Sequence, residues 1–181
     1  MKKQIIIAAV ALGAFVFGTT NVQAQDSNPI STTVNIILSD VISIDEGSVA
    51  SDGVVGFNYT TTTDYNSAKN VTVENSLIIT SSKNFEVKVK AEGENFENGS
   101  NLIPVNVLQV KAVAGGTMDA ASLNEVTLSD ADQVLVNNAT LGARKSLNID
   151  YSISAEKAQT VLLGKEAGTY TQKVTYTATA L

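Results

Sequence analysis

The sequence predicts an all-β protein, an immunoglobulin-like or Greek-key β-sandwich of about nine strands. Short runs in which apolar and polar residues alternate recur along the chain, and such alternation is typical of half-buried strands. Turn sequences rich in Gly, Asn and Asp separate these runs. No amphipathic stretch between them is long enough for the helical crossover that a parallel sheet requires.

The last stretch, residues 168–181, has the strand pattern on which the predicted fold is based. Tyr170, Val174, Tyr176 and Ala178 share one parity, whereas threonines and a lysine occupy the other. Because successive side chains of a strand point to opposite faces of the sheet, this pattern predicts a final strand with one buried face.

The first 24 residues have the features of a cleaved signal peptide. Lys2 and Lys3 precede the apolar run at residues 5–18, and Val22 and Ala24 place small residues where a signal peptidase reads them. The run is short for a membrane-spanning helix, so we expect cleavage after Ala24 and no retained transmembrane anchor. Because no cysteine follows, we expect no lipid anchor either.

Removal of residues 1–24 leaves 157 residues, 25–181, which we expect to form a single domain. Two lysines leave with the signal, so ten basic and eighteen acidic residues give a formal net charge of −8. An acidic chain without a basic cluster is unsuited to nucleic acid or anionic membranes. The composition favours a protein secreted to the periplasm or the cell surface, stabilised by its core because it has no cysteine.

Alternation predicts the other strands in order. Residues 30–38 form a long first strand that Ile42 and Ile44 continue, residues 55–59 a second, and residues 71–80 one bent strand or two short ones. Residues 85–91 alternate most regularly, with charged residues on the outer face.

Later in the chain, the pattern predicts strands at residues 105–113 and 147–153, a helical turn at 119–124, and a hairpin joining 126–128 to 133–136. Residues 93–101 have the composition of a polar loop, and residues 154–158 tolerate a short helix.

The residue types argue against an enzyme. Without histidine, the serines and threonines have no common general base to activate them. A glycosidase would need two carboxylates across a cleft, and Glu86 and Glu92 belong to a solvated strand face instead. We therefore expect no catalytic residues and no cofactor.

Calcium is the one ion for which the sequence offers ligands. Asp130 and Asp132 lie in a tight turn, and Asp45, Glu46 and Asp52 lie in an earlier loop. The sequence contains no EF-hand pattern, and aspartates in turns usually bond their own backbone, which is the interpretation we favour.

Tyr65 is the candidate contact for a glycan. The other four tyrosines have the parity of core residues, and Tyr65 alone falls in a polar loop, where we expect it to be exposed. The chain has no tryptophan, so a sugar platform would rest on this single ring.

Residues 30–38 allow two interpretations. Ile30, Val34, Ile36 and Leu38 could be the buried side chains of a donor strand that completes the sheet of a neighbouring subunit. Alternatively, the segment is the molecule's own first strand, which is the interpretation that the sequence favours.

The signal segment, the threonine-rich strands and the closing Gly168-Thr169-Tyr170 and Val174-Thr175-Tyr176 resemble secreted bacterial surface β-sandwiches. The similar types are spore-coat-U-like pilus subunits and WxL-type cell-surface domains. The chain departs from them because it has neither the Trp of the WxL motif nor a cysteine pair. The resemblance implies a structural or adhesive role outside the cell and transfers no functional residue.

The sequence therefore favours a non-enzymatic, exported structural or adhesive surface protein, a pilus-like or fimbria-like subunit whose partners are copies of itself or other surface subunits. The alternative is a soluble binding module for glycan or another cell-envelope ligand.

Overall fold

The structure, a computed structural model, describes residues 30–51 and 53–181. The signal segment predicted at residues 1–24 lies outside the described residues. The chain divides after Ile37 into two units, and Leu38–Leu181 is the unit that contains the sheets. On the N-terminal side of this division, residues 30–37 form no helix or strand.

The strands account for most of the regular structure of the described residues. In chain order they are β1 (Ile42–Ile44), β2 (Lys69–Ser81), β3 (Phe85–Ala91), β4 (Asn95–Asn98), β5 (Asn101–Pro104), β6 (Gln109–Val113), β7 (Ala120–Leu123), β8 (Glu125–Thr127), β9 (Gln133–Ala139), β10 (Gly142–Ile153) and β11 (Val174–Ala180).

Helical structure in the described chain is limited to short turns. The α-helical turns are α1 (Thr62–Tyr65) and α2 (Ala155–Lys157), and a π-helical turn at Ala158–Leu162 continues α2. Two 3-10 turns lie at Val49–Ser51 and Val105–Val107. None of the helices among the described residues has the length and apolar character to span a membrane.

Two antiparallel sheets build the sandwich. The first has the strand order β1-β2-β10-β6-β8, and the second has the order β11-β3-β9-β7. Strands β4 and β5 pair with each other as a hairpin, and Glu97 of β4 also bridges to Thr171. The prediction of an all-β sandwich is therefore confirmed, with eleven strands among the described residues instead of about nine.

The core lies between the sheets and follows the alternation in the sequence. Strand β3 alternates buried and half-buried side chains along its whole length, and its Phe85, Val87 and Val89 are fully enclosed. Leu77 and Ile149 close the core from the other sheet. Burial of large apolar side chains on this scale is the main source of stability for a chain without cysteine.

Two tyrosines link the sheets. The hydroxyl oxygens of Tyr151 on β10 and Tyr176 on β11 lie 2.6 Å apart, so one donates to the other. Burial raises the pKa of both phenols above the ordinary value of 10.0, so both remain neutral hydroxyl groups. The bond satisfies two polar groups that would otherwise be costly inside the sandwich.

Strand β2 bends at Asn75, where the backbone adopts a left-handed conformation with φ of 50°. The N–H of Asn75 donates to the Oδ1 of Asn148 on β10, and the register between β2 and β10 shifts at this point. Residues 71–80 therefore form one bent strand, the first of the two possibilities that the sequence left open. An Asn tolerates left-handed backbone better than most residues do.

Three local predictions are wrong. Residues 119–124 contain strand β7 and do not form a helical turn, because the backbone of β7 pairs with β9. Strands β8 and β9 form no hairpin, since β8 pairs with β6 in one sheet and β9 with β3 and β7 in the other. The polar stretch predicted as a loop contains most of the β4–β5 hairpin.

The final strand begins later than predicted. Strand β11 starts at Val174, and before it only Thr171 makes a bridge, to Glu97. Residues 105–107 form a 3-10 turn, so the strand predicted over 105–113 is confined to β6. Strand β10 extends beyond the alternating residues at its N-terminal end.

We expect Phe85→Ala to lower the free energy of unfolding by about 3–5 kcal/mol, because it removes an enclosed ring and leaves a cavity. The matched control is Thr177→Ala on the neighbouring strand, where the side chain is exposed and the expected change is within about 0.5 kcal/mol. Urea unfolding followed by circular dichroism measures both. A loss for Phe85→Ala as small as that of the control would contradict the assignment of this core.

Candidate functional site

Strand β1 covers only the C-terminal end of β2. The paired residues run from Ile42 opposite Ser81 to Ile44 opposite Ile79. The chain then turns away, and the last backbone bond on this side is from the N–H of Asp45 to the carbonyl of Ile78, 2.7 Å.

Nothing in the described chain pairs with the remainder of this edge. Residues 69–75 of β2 pair with β10 on one side, and no described residue forms a backbone hydrogen bond with them on the other. We call the space beside this edge, on the side away from β10, the open lane. It continues the line of β1 along β2.

The side to which each β2 residue directs its backbone hydrogen bonds follows from the pairing of β6 with β8, on the other side of β10. The N–H of Ala112 on β6 donates to the carbonyl of Asn124, away from β10. Because neighbouring residues of an antiparallel strand bond in alternate directions, Ile149, which lies opposite Ala112, bonds toward β2. Its partner there is Val73.

By the same alternation, Asn70, Thr72 and Glu74 direct their N–H and C=O groups into the open lane. Their side chains are exposed, and the side chains of Asn70 and Thr72 bond the carboxylate of Asp150 on the neighbouring strand. The lane therefore offers a row of backbone donors and acceptors of the kind that another strand recognises.

Residues 54–60 run past the lane without occupying it. Val55, Phe57 and Tyr59 are half-buried against the core, and the residues between them are exposed, as in a strand. The segment nevertheless forms no backbone ladder with any described residue. The second strand predicted at residues 55–59 is therefore wrong in its pairing, although its parity is confirmed.

A groove of about 430 Å³ separates this segment from β2. Gly56, Phe57 and Asn58 line one side, and residues 68–71 line the other. Across the groove, Nζ of Lys69 donates to the carbonyl oxygen of Asn58 at 2.5 Å. Its lining is more polar than apolar and includes Phe57, Val71, Asn58 and Asn70.

Helix α1 lies in the chain between the two walls of this groove and is held by a capping box. The hydroxyl of Thr61 accepts from the N–H of Asp64, and the carboxylate of Asp64 accepts from the N–H groups of Thr60 and Thr61 at 2.9 and 2.7 Å. Asp64 also pairs with Lys69, with Nζ and Oδ1 2.7 Å apart. The ammonium of Lys69, together with these N–H groups, holds the pKa of Asp64 well below its usual range.

Tyr65, the predicted glycan contact, is not freely exposed. It is the last residue of α1 and is half-buried, with its ring 5.2 Å from the ring of Tyr59. Lys69 lies over the other ring of this pair, 5.1 Å from its centroid. The expectation of a solvent-exposed ring is wrong because α1 folds the tyrosine back onto the sandwich.

The four tyrosines predicted to lie in the core all pack there, but to different extents. Tyr151 is buried, while Tyr59, Tyr170 and Tyr176 are half-buried and pack against the core. Burial raises the pKa of Tyr59, and the charge of Asp64 adds to the effect. The Tyr59 hydroxyl has no hydrogen-bond partner among the described residues.

The calcium candidates do not converge on a site. Asp130 and Asp132 are exposed in the turn between β8 and β9, and Asp132 pairs with Lys90 at 3.6 Å. Within the described ranges, no three carboxylate, histidine or cysteine side chains are arranged to hold a metal ion.

Glu86 and Glu92 each form an ion pair with a different lysine. Glu86 pairs with Lys88 at 2.8 Å, and Glu92 pairs with Lys173 at 2.9 Å. Lys173 and the backbone just before β11 hold Glu92 beside that strand. The two carboxylates therefore form no acid–base pair across a cleft.

The candidate donor-strand residues lie outside the sheets. Ile30, Val34, Ile36 and Leu38 have exposed fractions of 100, 80, 82 and 87%. Residues 30–41 form no strand, so the long first strand predicted from the sequence is confined to β1. The interpretation that the sequence favoured, an internal first strand at 30–38, is therefore wrong.

Comparison with known proteins gives no family whose model matches the chain, and no curated protein matches it.

The ionised carboxylate of Asp64 stabilises the folded state, because its pKa is lower when folded than when unfolded. This contribution is complete above the ordinary value of 3.8 and is lost as the pH falls below it. We expect Asp64→Asn to lower the urea midpoint at pH 7, and the difference from the unmodified chain to shrink toward pH 2.

The control is Asp130→Asn, which removes an exposed carboxylate that makes no ion pair with a described residue. Its urea midpoint should follow that of the unmodified chain at each pH. If Asp64→Asn behaves in the same way as this control, the capping box and the Lys69 pair do not stabilise the groove.

Proposed function

We propose that this protein is a non-enzymatic, exported β-sandwich that serves as a fimbria-like or surface structural subunit and self-associates through residues 30–38. The observation that carries the proposal is the exposure of Ile30, Val34, Ile36 and Leu38 on a segment that forms no strand with the described residues. Soluble proteins seldom leave several large apolar side chains of one segment in water without a partner for them.

The pattern of the segment favours a strand as its bound form. Four of its five large apolar side chains share one parity, and Ser31, Thr33, Asn35 and Ile37 occupy the other. An extended chain of this kind has one face for a hydrophobic groove and one for water, and its backbone can join the edge of a sheet. It carries no charge that would have to be desolvated on binding.

Export is supported by the signal-like segment and by the composition. The chain has a basic start, an apolar run and small residues before position 25, and it has no cysteine. The resemblance to secreted bacterial surface sandwiches points to the same role.

We expect the chain from residue 25 to form oligomers whose size grows with concentration in size-exclusion chromatography with light scattering. Replacing Val34 and Ile36 together by Asp should raise the dissociation constant about 100-fold or more, because two apolar side chains can no longer be buried. The fold should remain, since both side chains are exposed in the subunit. Circular dichroism checks the fold.

The matched control replaces Thr33 and Asn35 by Asp, which adds the same charge to the opposite parity of the same segment. This variant should still assemble. Deletion of residues 30–38 should leave a folded monomer. A chain that stays monomeric at high concentration, or variants on both parities that assemble equally, would refute self-association through this segment.

A further inference from the structure

We propose that Asn98 is a site of spontaneous deamidation, in which its side-chain amide is lost as ammonia through a cyclic succinimide formed with Gly99. The inference goes beyond the proposed function, because it concerns the β4–β5 hairpin and not residues 30–38. It depends on three features of the described chain, which are the residue that follows Asn98, the unbonded amide groups at the hairpin tip, and the weak closure of that tip.

Deamidation is a reaction that makes asparagine thermolabile, and it needs only the two residues and water. The backbone nitrogen of Gly99 loses its proton to hydroxide and attacks Cγ of Asn98, so that a C–N bond forms and ammonia leaves. Water then opens the ring at either carbonyl carbon, which gives aspartate or isoaspartate. Overall, one water is consumed and one ammonia is released. Both products add a negative charge, and isoaspartate also lengthens the backbone of the tip by one methylene.

The residue after Asn98 favours the attack. Glycine has no Cβ to crowd its backbone nitrogen, and Asn98-Gly99 is the one Asn-Gly pair in the sequence. Gly99 has a φ of 61°, and no described atom outside its chain neighbours lies within 4 Å of the position that a Cβ would take. Hydroxide can therefore reach this nitrogen.

Both reacting groups lack hydrogen-bond partners among the described residues. Asn98 ends strand β4 opposite Asn101, and Gly99 lies in the turn between them. The N–H of Gly99 donates to no described group. The side chain of Asn98 is half-buried beside the backbone of Gly168, and no described group bonds its amide. An amide that is not held by hydrogen bonds can rotate toward the attacking nitrogen.

Only the end of the hairpin has to open for the ring to close. Asn98 is extended in the strand, so its pairing with Asn101 must separate before Cγ and the nitrogen of Gly99 come into line. The hairpin lies outside both sheets of the sandwich. Beyond Glu97, which bonds the backbone of Thr171, this pair is the last one. Opening one pair at a hairpin end costs far less than unfolding the sandwich.

The two asparagines that precede serine are more firmly placed and provide an internal comparison. The side-chain nitrogen of Asn66 donates to the carbonyl of Thr62 at 2.8 Å, and its oxygen accepts from Gln159 at 3.2 Å. Asn75 is followed by Ser76, which is fully buried. In both pairs the following residue also carries a Cβ, which slows attack by its nitrogen.

The experiment incubates the folded chain from residue 25 at mildly alkaline pH and digests samples with trypsin over several days. Asn98 lies in the tryptic peptide of residues 91–111. Tandem mass spectrometry assigns the mass increase of about 1 Da to a residue, and electron-transfer fragmentation distinguishes isoaspartate from aspartate. A sample taken at the start corrects for deamidation during digestion.

The control variants change one reacting group each. Asn98→Gln keeps an amide but would have to form a larger ring. Gly99→Asp crowds the backbone nitrogen and keeps the left-handed turn, which aspartate tolerates. Circular dichroism checks that both variants fold.

We expect Asn98 to deamidate about tenfold faster than Asn66 and Asn75, or more, because Gly99 has no Cβ. Isoaspartate should be among the products. Asn98→Gln should abolish the reaction at this position, and Gly99→Asp should slow it by about tenfold or more. The rate should not change in urea below the unfolding transition, because opening of the tip exposes little surface.

Deamidation of Asn98 no faster than that of Asn66 or Asn75 would overturn the proposal, and so would an unchanged rate in Gly99→Asp. Aspartate without isoaspartate would overturn the succinimide route, because direct hydrolysis gives aspartate alone. A rate that rises steeply with urea below the transition would overturn the opened tip as the reactive state, since the sandwich would then have to unfold first.

Discussion

The structure depends on the pairing of strand β10 with a neighbour on each side. β10 (Gly142–Ile153) bonds β2 along one edge and β6 along the other, and its inward residues Leu147, Ile149, Tyr151 and Ile153 are buried. This ladder fixes the position of every other strand in the first sheet. Since the chain has no cysteine, hydrophobic burial between this sheet and the second one supplies its stability.

In the first sheet, the outer strand β1 is much shorter than β2, the strand it pairs with. β2 spans thirteen residues and β1 only three, so no described strand lies beside most of the outer edge of β2. An uncovered edge invites association with other chains, and many proteins block such edges with charge, bulges or proline. Here residues 54–60 shield the core behind the edge without bonding to it, which leaves the backbone groups of the lane available.

Two parts of the described chain lack a strand partner among the described residues. The segment at residues 30–38 has exposed apolar side chains and no partner strand, and the lane has backbone bonding groups and a groove but no strand. The polar residues around the lane are arranged to hold its shape. Asp64 closes helix α1 and fixes Lys69, while Asp150 bonds the side chains of Asn70 and Thr72 on the outer face.

The sequence by itself determined the all-β class and the inward parity of β2, β3, β10 and β11, because burial of alternate side chains requires an alternating pattern. It also determined the parity of residues 54–60, where Val55, Phe57 and Tyr59 turn inward as expected. The exclusion of histidine- and cysteine-dependent chemistry likewise needed only the composition.

Only the tertiary structure decided which strands have partners. Residues 30–38 and 85–91 have similar alternation, yet the first segment is unpaired and the second is central in its sheet. Pairing depends on which backbones lie side by side, and side-chain parity carries no information about that. For the same reason, the separation of β8 from β9 into different sheets and the open lane beside β2 could not be derived from the order of residues.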